Sequence, residues 1–106
     1  MPEFHTGIDI SADVGTRVLA VKSGVITVIR YSQTFGHVLE FETNDGYEIM
    51  FAHLDSIIVE VGQTVEQGQI LAFSGNSGMT TGPHLHYEIR RDGEPIDPTK
   101  HFQPNQ

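Results

Sequence analysis

Val38-Leu39-Glu40-Phe41-Glu42-Thr43, then Asn44-Asp45-Gly46, then Tyr47-Glu48-Ile49-Met50-Phe51-Ala52-His53-Leu54 run without a break through the middle of the chain. Two segments rich in β-branched and aromatic residues flank three residues that tolerate a positive φ, and this arrangement predicts a β-hairpin. The same punctuation continues outward in both directions. Glycines from Gly15 to Gly93 cut the chain into short pieces, and residues 25–29, 57–61, 70–73 and 84–90 read as further strands. Asp92-Gly93 marks another turn near the C-terminus. No stretch keeps apolar residues at i, i+3, i+4 and i+7 for ten residues, so no long helix is expected. The expectation is an all-β fold, a small antiparallel β-sheet or sandwich. One internal echo suggests two related hairpin units. Val14-Gly15-Thr16-Arg17-Val18 and Val61-Gly62-Gln63-Thr64-Val65 each precede a glycine-bounded strand, Gly24-Val25-Ile26 after the first and Gly68-Gln69-Ile70 after the second.

With 106 residues, one domain is the default. Six Lys+Arg against 14 Asp+Glu give a net charge of −8. That balance argues against a general nucleic-acid binder and against electrostatic adhesion to anionic membranes. Cysteine is absent, which removes both a disulfide framework and a thiolate metal site. No apolar run approaches the ~18–20 residues of a membrane span, and the N-terminus shows no basic-then-apolar leader. Residues 1–3 read as an added start, residues 4–102 as the domain, and residues 103–106 as a disordered tail. What needs explaining is the presence of six histidines in an acidic, cysteine-free chain.

His84-Leu85-His86 opens a strand-like run. Residues i and i+2 of a strand share a face, so both imidazoles would point one way while Leu85, Tyr87 and Ile89 point into apolar contact. Such a pair supplies either two metal ligands or one ligand and a neighbouring acid/base group; taken alone, it reads as a solvated pair on a half-exposed strand. His5 and Asp9 offer an imidazole and a carboxylate, both ordinary zinc donors. A straight strand would hold their Cα atoms ~13 Å apart, so a bend permitted by Gly7 is expected. Two histidines and one aspartate make three protein ligands and leave a fourth tetrahedral position open to water, as in catalytic zinc sites. His53 ends an apolar segment and reads by itself as a satisfied core or edge histidine. His37 and His101 have no supporting pattern, and Asp13, Asp55 and Asp97 read as caps and turn formers.

Phe4-His5-Thr6-Gly7-Ile8-Asp9-Ile10, Phe51-Ala52-His53-Leu54 and Thr81-Gly82-Pro83-His84-Leu85-His86-Tyr87-Glu88 resemble the motifs of the lysostaphin-type zinc metallopeptidases, the peptidoglycan endopeptidases of bacteria and phages. Residues 18–24, Asp45-Gly46-Tyr47, Val61-Gly62-Gln63 and Gly68-Gln69-Ile70 are similar to the family in order and spacing, so the resemblance spans about residues 4–98. It implies a β-domain of the duplicated hybrid-motif type with a zinc-containing groove. It further implies Zn2+ on His5, Asp9 and His86, with His53 and His84 flanking the metal-bound water as general base and stabiliser of the tetrahedral intermediate. The reaction implied is hydrolysis of peptide bonds in peptidoglycan cross-links or stem peptides. Gly75, Asn76, Gly78 and Thr81 would then line a substrate-groove wall, where small residues let a peptide backbone come close. Glu88 shares the face of His84 and His86, and it either orients a ligand or pairs with Arg90 or Arg30.

The family also implies sequence ahead of the first ligand, whereas only Met1-Pro2-Glu3-Phe4 precede His5. The chain is therefore expected to be a trimmed piece or to carry a reduced wall. A location in the cell envelope, periplasmic or secreted, follows from the resemblance, with peptidoglycan peptide as substrate, envelope proteins as further partners, and no nucleic acid or membrane segment. The rival reading is a non-catalytic scaffold or activator of the same fold in a division or sporulation complex. Residues 61–70 also look like the hammerhead of biotinyl and lipoyl carriers and of a sugar-system phosphocarrier. The only lysines, Lys22 and Lys100, do not sit at the hairpin tip such a carrier modifies.

Overall fold

The computed structural model describes residues 7–78 and 82–96, the side chains of residues 8, 9, 11 and 84 being outside that description. The expected start at 1–3, the tail at 103–106, and His5, Thr81, Asp97 and His101 lie outside the described residues. Among the described residues nine strands follow one another: β1 (Gly7–Ser11), β2 (Arg17–Leu19), β3 (Gly24–Ser32), β4 (Gly36–Thr43), β5 (Tyr47–Ile57), β6 (Thr64–Val65), β7 (Ile70–Ser74), β8 (His84–Arg91) and β9 (Glu94–Ile96). Among the described residues there is no helix, hence none long and apolar enough to cross a membrane.

The predicted hairpin is β4–β5. Thr43, Asn44, Asp45 and Gly46 close it, with Gly46 N–H donating to Thr43 O at 3.1 Å and Gly46 at φ 94°. The Thr43 hydroxyl donates to Asp45 Oδ1 at 2.7 Å and accepts Tyr47 N–H at 2.8 Å. Lys22 bonds the other Asp45 oxygen, and its ammonium, followed by the Thr43 hydroxyl, holds the Asp45 carboxyl below its ordinary value.

All pairings are antiparallel, in the order β1-β8-β5-β4-β3-β6, with β9 beside the far end of β8 and β7 joining β5 to β2. The sheet or sandwich expected from the pattern is thus one hydrogen-bonded sheet curled over its core. Val18 of β2, Leu71 of β7 and Val65 of β6 share that core with Leu39, Phe51 and Tyr87. Phe51 stacks on Tyr87, its register partner, at 5.4 Å between ring centroids, a contact of about 0.5–1.5 kcal/mol beyond the area buried. Burial pushes the Tyr87 hydroxyl pKa up, so the ring enters the core uncharged.

The internal echo corresponds to a repeated hydrogen-bond pattern. Gly15 N–H donates to Ser74 O and Ser74 N–H to Thr16 O, at 2.7 and 2.8 Å. Gly62 N–H donates to Ile26 O and Ile26 N–H to Gln63 O, at 2.8 and 2.9 Å. The short strand of each unit pairs with the long strand of the other, β2 with β7 and β6 with β3.

Residues 57–61 do not form a separate strand. β5 ends at Ile57, Ile58 makes one last bond to Leu71 O at 3.0 Å, and Ile58 and Val61 stand exposed before the Gly62 turn. Their β-branched composition gave the propensity, but among the described residues no strand pairs with residues 58–61.

Candidate functional site

β8 runs between β1 and β5, and this sandwiching gathers the candidate residues. Its inward residues Leu85, Tyr87 and Ile89 are buried, as alternation predicts. His86, Glu88 and Arg90 occupy the opposite face. Asp9 lies directly across from His86 on one side and Ala52 on the other, while Ser11 is opposite His84. Directly opposed residues of antiparallel strands have Cβ atoms ~4.5–5.5 Å apart, close enough to share one ligand. Val38, Met50, Ala52 and the flanking Phe35 form a small second apolar cluster away from the main core.

His53 follows Ala52 at the point where β5 leaves β8 and begins to pair with β7, from Ala52↔His86 to Leu54↔Ser74. The change of partner needs a bend, and His53 supplies it with φ 61°. A left-handed non-glycine residue costs ~1–3 kcal/mol and persists only where its surroundings hold it. Here His53 N–H donates to Phe35 O at 2.7 Å, and Nδ1 lies 2.7 Å from Ser77 O. A carbonyl only accepts, so Nδ1 carries the proton and Nε2 is the unprotonated nitrogen. The His53 ring is buried and meets the His86 ring edge-on at 6.1 Å; Phe35 lies 6.2 Å from the first and 5.6 Å from the second.

The loop after β7 locks this geometry. The Ser77 hydroxyl donates to Leu54 O at 2.6 Å and accepts His37 N–H at 3.1 Å, while its carbonyl holds His53. The loop approaches so closely that a Cβ on Gly78 would overlap the Gly36 nitrogen, and one on Gly36 would overlap Ser77. Gly75 likewise abuts Asp55. Gly75 and Gly78 thus abut the protein's own backbone, and Asn76 is exposed. Gly78→Ala, at φ 82°, should lower stability by about 2 kcal/mol or more in urea unfolding. Gly46→Ala, strained at φ 94° but with no atom within 4 Å of the added Cβ, should cost less. Equal losses would dissociate the effect from the loop contact.

Glu88 contacts both His86 and Arg90. Its Oε2 lies 2.8 Å from His86 Nε2, and its Oε1 accepts Arg90 Nη2 at 2.9 Å. Arg30 instead faces Glu40 at 3.7 Å. His37 stays outside the cluster, exposed and packed edge-on against Tyr31 at 4.9 Å. Asp13 is a turn former through its carbonyl, which accepts Thr16 N–H, the Thr16 hydroxyl and the Ser74 hydroxyl. Asp55 sits instead at an irregularity of the β5–β7 ladder.

Of the five expected metal and catalytic residues, the structure brings the His53 and His86 side chains together and places Asp9 and His84 by backbone register. His5 lies outside the described residues. Among the described residues no three His, Cys, Asp or Glu side chains cluster as a metal site. Phe35 and Ser77 were missed from sequence, because both act on His53 through carbonyls brought from distant turns.

The profile of Peptidase family M23 matches residues 3–98. The chain is 38% identical over 96 residues to peptidoglycan DD-endopeptidase ShyB of Vibrio cholerae, covering 91% of this chain and 22% of that protein. It is 40% identical over 95 residues to the DD-carboxypeptidase/endopeptidase Mpg of Neisseria meningitidis, covering 90% of this chain and 22% of that protein. A crystal structure of a zinc-containing peptidase from Vibrio cholerae superposes with a TM-score of 0.87 at 37% identity, covering 94% of this chain and 31% of that one. The catalytic domain of lysostaphin from Staphylococcus simulans superposes with a TM-score of 0.85 at 33% identity, covering 91% of this chain and 77% of that one. The chain belongs to peptidase family M23, the lysostaphin-type metallopeptidases. It spans about a fifth of the length of the curated relatives it matches.

Proposed function

We propose that this domain is a zinc-dependent endopeptidase that hydrolyses peptide bonds in peptidoglycan cross-links or stem peptides in the cell envelope. The observation that carries the reading is the alignment of Asp9, His86 and Ala52 across β1, β8 and β5, with His53 next to Ala52 and its ring against His86. The donor set fits the metal: imidazole and carboxylate are ordinary zinc ligands, and a carboxylate on the outer nitrogen of His86 is the usual support for such a ligand. His5, Asp9 and His86 would hold the ion. Bound there, zinc supplies Lewis-acid polarisation of the scissile carbonyl and a water with a pKa lowered toward ~7.

The chain's own residues do the rest. His53, with Nδ1–H fixed on Ser77 O, presents Nε2 as a proton acceptor or donor. His84, two residues before His86 on β8, serves as the second proton-handling imidazole. The two share the tasks of taking a proton from the attacking water and stabilising the oxyanion. One of them also returns a proton to the leaving amine. The Val38–Met50–Ala52–Phe35 cluster excludes water from the floor beside His86.

The test is to incubate the zinc-loaded protein with purified sacculi and defined muropeptides and to identify products by mass. New peptide termini that vanish on chelation and return with zinc are expected. Zinc binding without turnover on any of several wall types would support the scaffold instead.

A further inference from the structure

We propose that Glu88, held by Arg90, is a positioning residue that sets the tautomer of His86 and so decides which ring nitrogen meets the metal. This rests on His86 being a ligand, as argued above. Residues 86, 88 and 90 share one face of β8, opposite Ala52, Met50 and Glu48 of β5. The Glu88 side chain is only 4% exposed, against 42% for Arg90. A carboxylate buried beside Met50 is a poor stabilising device, because its desolvation offsets most of what its partners contribute. What the arrangement does provide is direction. One oxygen accepts from Arg90, and the other faces His86 Nε2. An ionised carboxylate only accepts, so Nε2 carries the proton and the ligand role passes to Nδ1.

Arg90 makes the arrangement sensitive to one atom. Its guanidinium only donates, so in Glu88→Gln it claims the amide oxygen and turns the amide NH2 toward His86. Nε2 would then have to accept, the proton would move to Nδ1, and Nδ1 could not bind the ion. Removing Arg90 as well frees the amide to present its oxygen, so Glu88→Gln/Arg90→Ala should recover part of the loss.

Two measurements test this. Long-range 1H–15N spectra of the metal-free protein, at a pH where the imidazoles are neutral, should show Nε2–H on His86 in the wild type and Nδ1–H in Glu88→Gln. Competition with a chromogenic chelator should show zinc binding about 10–100-fold weaker in Glu88→Gln, partly restored in the double variant. A wild-type protein carrying Nδ1–H on His86 overturns the proposal without any variant. So does a Glu88→Gln protein that binds zinc within threefold of the wild type, or a double variant with no recovery, the pattern of a purely structural role. Should the wild type bind no zinc while the tautomer still reverses, the positioning role stands and the metallopeptidase reading fails, so the two are separable.

Discussion

His86→Ala should yield a folded chain that neither retains zinc nor cleaves peptidoglycan. The His86 side chain lies on the face of β8 away from the core, and the core contacts of the strand come from Leu85, Tyr87 and Ile89. The fold therefore keeps its core contacts: the contact of His86 with Glu88 Oε2 goes, while Arg90 still holds Oε1. The site loses far more, because the three proposed protein ligands become two. Supporting residues alone are worth 10–100-fold in metal affinity, so losing a ligand should weaken zinc binding by more than about a hundredfold. Calorimetric zinc titration, the unfolding midpoint of the metal-free protein and muropeptide digestion together read the result. Normal hydrolysis by this variant would sink the proposed mechanism.

His53→Asn should keep the metal and lose the turnover. Asparagine tolerates the left-handed backbone that His53 adopts at φ 61°, and its amide can still donate to Ser77 O. It cannot take up and release a proton near neutral pH. If His53 handles a proton in the reaction, kcat should fall by about 10²–10⁴-fold with zinc content unchanged. His53→Ala should show the same loss of turnover together with reduced stability, since it gives up the Ser77 bond while keeping the strained φ. A His53→Asn enzyme within threefold of wild-type kcat would return His53 to the role of a satisfied buried histidine.

Much of this site was legible from local pattern. The His84-Leu85-His86 alternation requires only that β8 be a strand, and Leu85 and Tyr87 are buried as the alternation expects. The Asn44-Asp45-Gly46 turn follows from backbone preferences of those residues, and the echo between residues 14–18 and 61–65 reflects two turns with the same bonding. Residues 57–61 misled for the complementary reason. Their β-branched side chains signal a fit to a pleated surface, and whether such a surface is present is settled by the rest of the chain.

His53 marks the limit of local reading. Its segment shows an imidazole after an apolar run, which fits a core residue as well as a proton carrier. What separates the two is φ 61°, the partner change of β5, and the carbonyls of Phe35 and Ser77, all set by contacts between segments far apart in sequence. The same holds for Glu88, whose equal claims on His86 and Arg90 were resolved only by their placement on one face of a sheet with β5 alongside. By itself the sequence determined the strand character, the turns, the family motifs and the absence of cysteine, because these depend on residue chemistry and short-range backbone preference. Only the tertiary structure decided which partner each imidazole nitrogen meets and which backbone the glycines approach. Those depend on hydrogen-bond partners that chain folding, not sequence neighbourhood, brings within 3 Å.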